Sequence, residues 1–124
     1  MIAVKSVRVM IVDDNADHVD TLAALLSLEG HTTRGIYSAL DIVNEVKRFR
    51  PDVVVLDIAM PGRDGWAAAT AIRTAFAGTS PVLIACSGEY TRSEHVRLAK
   101  SRGFDHYVMK PCDTEQLLDL IQSI

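Results

Sequence analysis

A chain of 124 residues is the length of one domain, and its 48% apolar content suffices for a core of ordinary size. Its net charge of −3, with basic residues scattered, argues against a nucleic-acid surface; Lys47, Arg48 and Arg50 read as the solvated end of a helix. No apolar stretch approaches the roughly 20 residues of a bilayer span, and residues 1–5 lack the apolar segment and cleavage site of a signal peptide.

Short apolar runs alternate with helical patterns. Residues 7–12 form the first run and stop at Asp13-Asp14. A helix then starts near Asn15, shows Val19, Leu22 and Leu26 on one face, and ends at the C-cap Gly30. Residues 31–37 make a weaker strand, placed at an edge. The second helix opens at Ser38, with Asp41 three residues on, shows Leu40, Val43, Val46 and Lys47, and is ended by Pro51. Residues 52–56 are a second clear run, which stops at Asp57. A helix after Gly65 carries Trp66, Ala69 and Ile72 and stops by Gly78. Residues 81–86 run to Ser87. The capping box Thr91-Arg92-Ser93-Glu94 opens a fourth helix, which closes at Gly103. A last strand, His106–Met109, stops at Lys110-Pro111, and a last helix opens at Asp113 and carries Leu117, Leu120, Ile121 and Ile124.

The strand runs are nearly continuous rather than alternating, as expected of strands buried on both faces. Five strand–helix units in succession imply an α/β fold: a five-stranded parallel sheet with right-handed crossovers, doubly wound, in the order 2-1-3-4-5. One domain over residues 1–124 is expected.

The polar residues fall at the carboxyl ends of these strands: Asp13-Asp14, Asp57, Ser87 and Lys110. In that strand order they line one edge, where open α/β sheets bind ligands. Three carboxylates about 5 Å apart repel by roughly 3 kcal/mol per pair at an effective dielectric near 20. Such a cluster must protonate or recruit a cation, and oxygen donors beside waters and phosphate suit Mg²⁺. Lys110 supplies a compact positive charge opposite the acids and Ser87 a hydroxyl donor. A carboxylate can act as a nucleophile and form an acyl phosphate. Asp57, on the central strand between the acid pair and Ser87, is the nucleophile candidate. A phosphatase with an aspartyl nucleophile would show Asp-x-Asp after the first strand, where this chain has Asp13-Asp14-Asn15. A flavin phosphate would be repelled by the same acids.

With these residues placed, the chain resembles the receiver domain of two-component response regulators. The carriers are Val12-Asp13-Asp14-Asn15, residues 56–65 from Leu56-Asp57 to Asp64-Gly65, Cys86-Ser87-Gly88, and Tyr107-Val108-Met109-Lys110-Pro111. The resemblance implies a flavodoxin-like three-layer sandwich and a signalling module rather than an enzyme, though one that catalyses its own phosphorylation and dephosphorylation. It implies that Asp57 accepts phosphate from a histidine kinase or histidine phosphotransfer domain. Asp14 and Asp57 would ligate Mg²⁺, Asp13 mainly through water, with the backbone carbonyl of Ala59 as a further ligand. Lys110 would contact the phosphoryl group, and Ser87 and Tyr107 would form the conformational switch. Lys110-Pro111 would be a cis peptide, and Gly65 would adopt a positive φ. Ala59 and Glu89 stand where side chains tune dephosphorylation. The resemblance places the domain in the cytoplasm and assigns it no nucleic-acid or membrane contact; it admits a dimer through the fourth and fifth helices. The segment from Gly103 to Tyr107 resembles receivers of hybrid histidine kinases, whose phosphotransfer partner would dock around Asn15 and His18.

Two cysteines, Cys86 and Cys112, make neither a disulfide framework nor C-x-x-C, and read as reduced thiols. The histidines at 18, 31, 95 and 106 lack ligand spacing, so no zinc site is expected.

Overall fold

A computed structural model describes residues 6–58, 65–87, 97, 100, 101, 103–109 and 114–124. In it β1 (Arg8–Val12), β2 (Thr32–Ile36), β3 (Val53–Asp57), β4 (Val82–Ser87) and β5 (His106–Met109) form one parallel sheet in the order β2-β1-β3-β4-β5. Helices α1 (Ala16–Leu28), α2 (Ile42–Phe49) and α3 (Gly65–Ala75) follow the first three strands, and a C-terminal helix spans Thr114–Gln122. The fourth expected helix lies mostly outside the described residues; Arg97, Lys100 and Ser101 are helical.

Alternate residues of β1, β3, β4 and β5 serve opposite faces, whereas the edge strand β2 buries only Ile36. Val9, Ile11, Val53, Val55, Ile84 and Val108 pack with Val19, Leu22 and Leu26 of α1 and with Leu117 and Ile121 of the C-terminal helix. Met10, Val12, Val54, Leu56, Leu83 and Ala85 pack on the other side with Ile42 and Val46 of α2 and Ala68, Ala69 and Ile72 of α3. Strands between two helical layers have no solvated face, which is why their sequences carry apolar residues at almost every position.

Local signals account for most of the helix ends. The Asn15 side chain accepts the His18 backbone N–H as an N-cap, and Gly30 follows α1 with φ 94°, a conformation that suits glycine. The second helix begins later than its sequence suggests. Ser38 accepts the Leu40 N–H in a separate turn, and α2 starts only after Asp41. Leu40 is therefore 68% exposed rather than part of the core face, and the buried positions are Ile42 and Val46.

Gly65 corrects a second expectation. It is the first residue of α3 and is not among the positive-φ glycines. Glycine is required by close approach instead: a Cβ there would lie 2.4 Å from the carbonyl oxygen of Asp57 and 2.5 Å from Cα of Ile58. The Gly65 N–H donates to the Ile58 carbonyl at 2.8 Å, so α3 starts pressed against the end of β3.

Candidate functional site

Because β1 and β3 are hydrogen-bonded neighbours, with Val12 opposite Leu56, their next residues emerge side by side. Asp13 and Asp57 are buried there and Asp14 is exposed; one carboxylate oxygen from each lies within 4.8 Å of the others. At that spacing each ionised pair repels by about 3 kcal/mol, so the cluster is an arrangement that a hard cation would relieve. Three convergent carboxylates, one open to solvent, fit Mg²⁺, which keeps several waters.

Asp13 is held from several directions. Its backbone N–H donates to Ile36 of β2 at 3.2 Å. One carboxylate oxygen accepts the Asn15 N–H at 3.0 Å, and the other lies 2.8 Å from Nδ1 of His18. His18 as a partner of the acid cluster is absent from the sequence reading, although a signal for it existed. Asn15 as N-cap turns the first helical turn back over the end of β1, which brings a residue three positions later above Asp13.

Ser87 ends β4 and is 1% exposed. The ladder sets Asp57 opposite Cys86, so Ser87 extends one residue further along the neighbouring strand. Tyr107 lies on β5 opposite Ala85, half-buried and packed against the α2–α3 side of the core. Lys110, Pro111, Ala59 and Glu89 lie outside the described residues.

Cys86 differs from its sequence reading. It is buried and disulfide-bonded, where reduced thiols were expected; Cys112, the other cysteine of the sequence, lies outside the described residues. Spacing along the chain carried no signal of a bond, because bonding depends on which residues the fold brings within reach of each other.

The segment singled out before β5 has a structural task. Phe104 is 2% exposed and meets Trp66 edge-on at 5.8 Å between ring centroids. The Asp105 carboxylate accepts the Leu83 N–H at 2.8 Å and pairs with Arg73.

The model for the response regulator receiver domain matches residues 9–122, and the chain belongs to that family. Solved structures similar to it include a two-component response regulator from Clostridium difficile, 20% identical, with TM-score 0.85 over 95% of this chain and 94% of that one. A signal receiver domain from Bermanella marisrubri is 25% identical, with TM-score 0.83, over 96% and 98% of the two chains. NtrX from Brucella abortus is 28% identical, with TM-score 0.81, over 96% of this chain but 27% of that longer one. The protein is thus a signalling module of the phosphorelay type rather than an enzyme of metabolism.

Proposed function

We propose that Asp57 accepts a phosphoryl group, in a Mg²⁺-dependent reaction, from a phosphohistidine of a histidine kinase or phosphotransfer domain. The observation that carries this is the convergence of Asp13, Asp14 and Asp57 within 4.8 Å at the ends of two neighbouring strands. In the transfer, an Asp57 carboxylate oxygen forms the new P–O bond while the histidine N–P bond breaks, and the freed imidazole nitrogen takes a proton from water. Asp14, the exposed member, is suited to bind the cation directly. Asp13, with both oxygens already engaged by Asn15 and His18, is suited to hold it through water. When bound, the cation would offset the negative charge of the cluster and of the phosphoryl oxygens.

Lys110 and the Ala59 carbonyl complete the set on the strength of sequence position. Ser87, buried at the end of β4, is the hydroxyl to move towards the phosphate, and Tyr107, on the neighbouring β5, is the aromatic to follow. The module works in the cytoplasm in this reading, where the Cys86 disulfide would meet a reducing thiol pool. A hybrid kinase is one architecture that would contain such a module, and its phosphotransfer partner would dock near Asn15 and His18.

The test is incubation with a small acyl phosphate and Mg²⁺, read by intact mass. One added phosphate is expected, lost in Asp57→Asn and lost when the metal is chelated. A phosphate that persists in Asp57→Asn would sink the assignment.

A further inference from the structure

At the opposite edge of the sheet from Asp57, a cavity of about 650 Å³ opens between the C-terminal ends of α2 and α3. Its apolar wall is Val46, Pro51, Phe76 and Pro81, of which Phe76 is half-buried and the rest buried. Pro51 and Pro81 lie just ahead of β3 and β4, so the wall is anchored to the central strand of the sheet and to its hydrogen-bonded neighbour. Two exposed cations, Lys47 and Arg50, stand at its rim.

We propose that this cavity binds a small organic anion with a flat apolar body, such as an aromatic carboxylate. Its volume falls within the range of ligand sites, and an apolar wall with a few convergent charges is their usual chemistry. The positive charge at the rim is not consumed by the fold. Arg48, between the two cations in sequence, pairs with Asp41 and Glu45, and Arg34 pairs with Glu45. Lys47 and Arg50 have no ion pair among the described residues. Nor are their side chains needed to cap α2, where the Arg50 backbone N–H donates to the Val46 carbonyl at 2.8 Å. The Phe49 carbonyl at its C-terminus already accepts two N–H groups of the Arg8 guanidinium, at 3.0 and 2.6 Å. The chain as a whole is negative, at −3, so two unpaired cations around one apolar cavity form a local reversal of charge.

Arg50 adds an independent observation. It is the one non-glycine residue with positive φ among those described, at 55° with ψ 61°, at the position after α2 where glycine is ordinarily used. An arginine held at a strained position beside a cavity points to a role for its side chain. A guanidinium binds a carboxylate with two parallel hydrogen bonds, and Lys47 adds a point charge. Phe76 and the two prolines would take the flat body.

The experiment titrates the 15N-labelled full chain with 2-naphthoate and follows amide resonances. Saturable shifts confined to the Val46–Arg50 segment, Phe76 and Thr79 are expected, and neutral 2-naphthamide should bind roughly tenfold more weakly. Arg50→Gly removes the charge but suits the backbone, so it should stay folded while losing about tenfold in affinity; Lys47→Gln should weaken binding as well. Asp57→Asn should bind like the parent, which separates this site from the phosphoacceptor reading. Shifts scattered over the surface, equal affinity for the amide, or an unchanged Arg50→Gly would overturn the proposal. So would an acidic peptide that takes the site while naphthoate does not.

Discussion

Asp57 and Gly65 form a pair at the residue scale, because the atom nearest the missing Cβ of Gly65 is the carbonyl oxygen of Asp57. Gly65→Ala must push α3 away from the end of β3. A loss of about 1–3 kcal/mol is expected, as for overpacking elsewhere, and urea unfolding measures it. The same shift displaces the strand end that carries Asp57, the proposed acceptor, so the variant should also take phosphate from the acyl phosphate more slowly than the parent. An unchanged urea midpoint would show that the contact relaxes without cost. The requirement could be read from the sequence only as "glycine needed here". Its cause, steric contact rather than a positive φ, depends on how close a helix start lies to a strand seven residues or more earlier in the chain.

Tyr37 is a second residue with a checkable property. Its hydroxyl donates to the Asp20 carboxylate at 2.6 Å and so ties the turn after β2 to α1. That hydrogen bond, then the negative charge of Asp20, raises the tyrosine above its ordinary value near 10. The folded state therefore prefers the neutral phenol. Its contribution is complete below the unfolded pKa and is lost as pH rises through the higher folded value. A spectrophotometric titration should show a tyrosine ionising late, and Asp20→Asn should bring it back; a parent and variant with the same titration would refute the link.

Between elements, Arg73 of α3 has a comparable position in the molecule's other half. Its guanidinium donates to Ser80 Oγ, the carbonyls of Pro81 and Gly103, and the Asp105 carboxylate. One side chain thus joins the end of α3, the entry to β4 and the entry to β5. Arg73→Ala leaves those carbonyls without their donor, and a loss of about 1–3 kcal/mol is expected in chemical denaturation, with Arg73→Lys in between. If both variants unfold with the parent, water replaces the guanidinium without cost. The sequence carried no sign of this clamp, since its partners are 7 to 32 residues away. By contrast, α1 was legible almost to the residue: Asn15 caps it, Val19, Leu22 and Leu26 face the core, and Gly30 ends it. The start of α2 was not, because Ser38 and Asp41 are both acceptable caps and only packing of Ile42 decides between them.

Across the whole molecule, a cation held by the acid cluster of the folded state has no comparable site in the unfolded chain. Mg²⁺ should therefore stabilise the protein by mass action, by about 2.7 kcal/mol at a hundredfold excess over Kd. Thermal scans should show Tm rising by several degrees with Mg²⁺ and less in Asp57→Asn, which removes one of the three charges. Equal shifts with Na⁺ at matched ionic strength would mean screening rather than a site.

The sequence by itself determined the strand–helix alternation, the sheet order and the edge at which Asp13, Asp14 and Asp57 meet, with Ser87 at the end of the neighbouring strand. Those follow from local periodicity and from the rules for right-handed parallel crossovers, which leave few topologies open. What only the tertiary structure decided was contact: His18 on Asp13, Gly65 against Asp57, the bonded state of Cys86, and the cavity between Lys47, Arg50 and Phe76. Contacts of this kind join residues by distance in space, and one-dimensional patterns record only the face on which a residue stands.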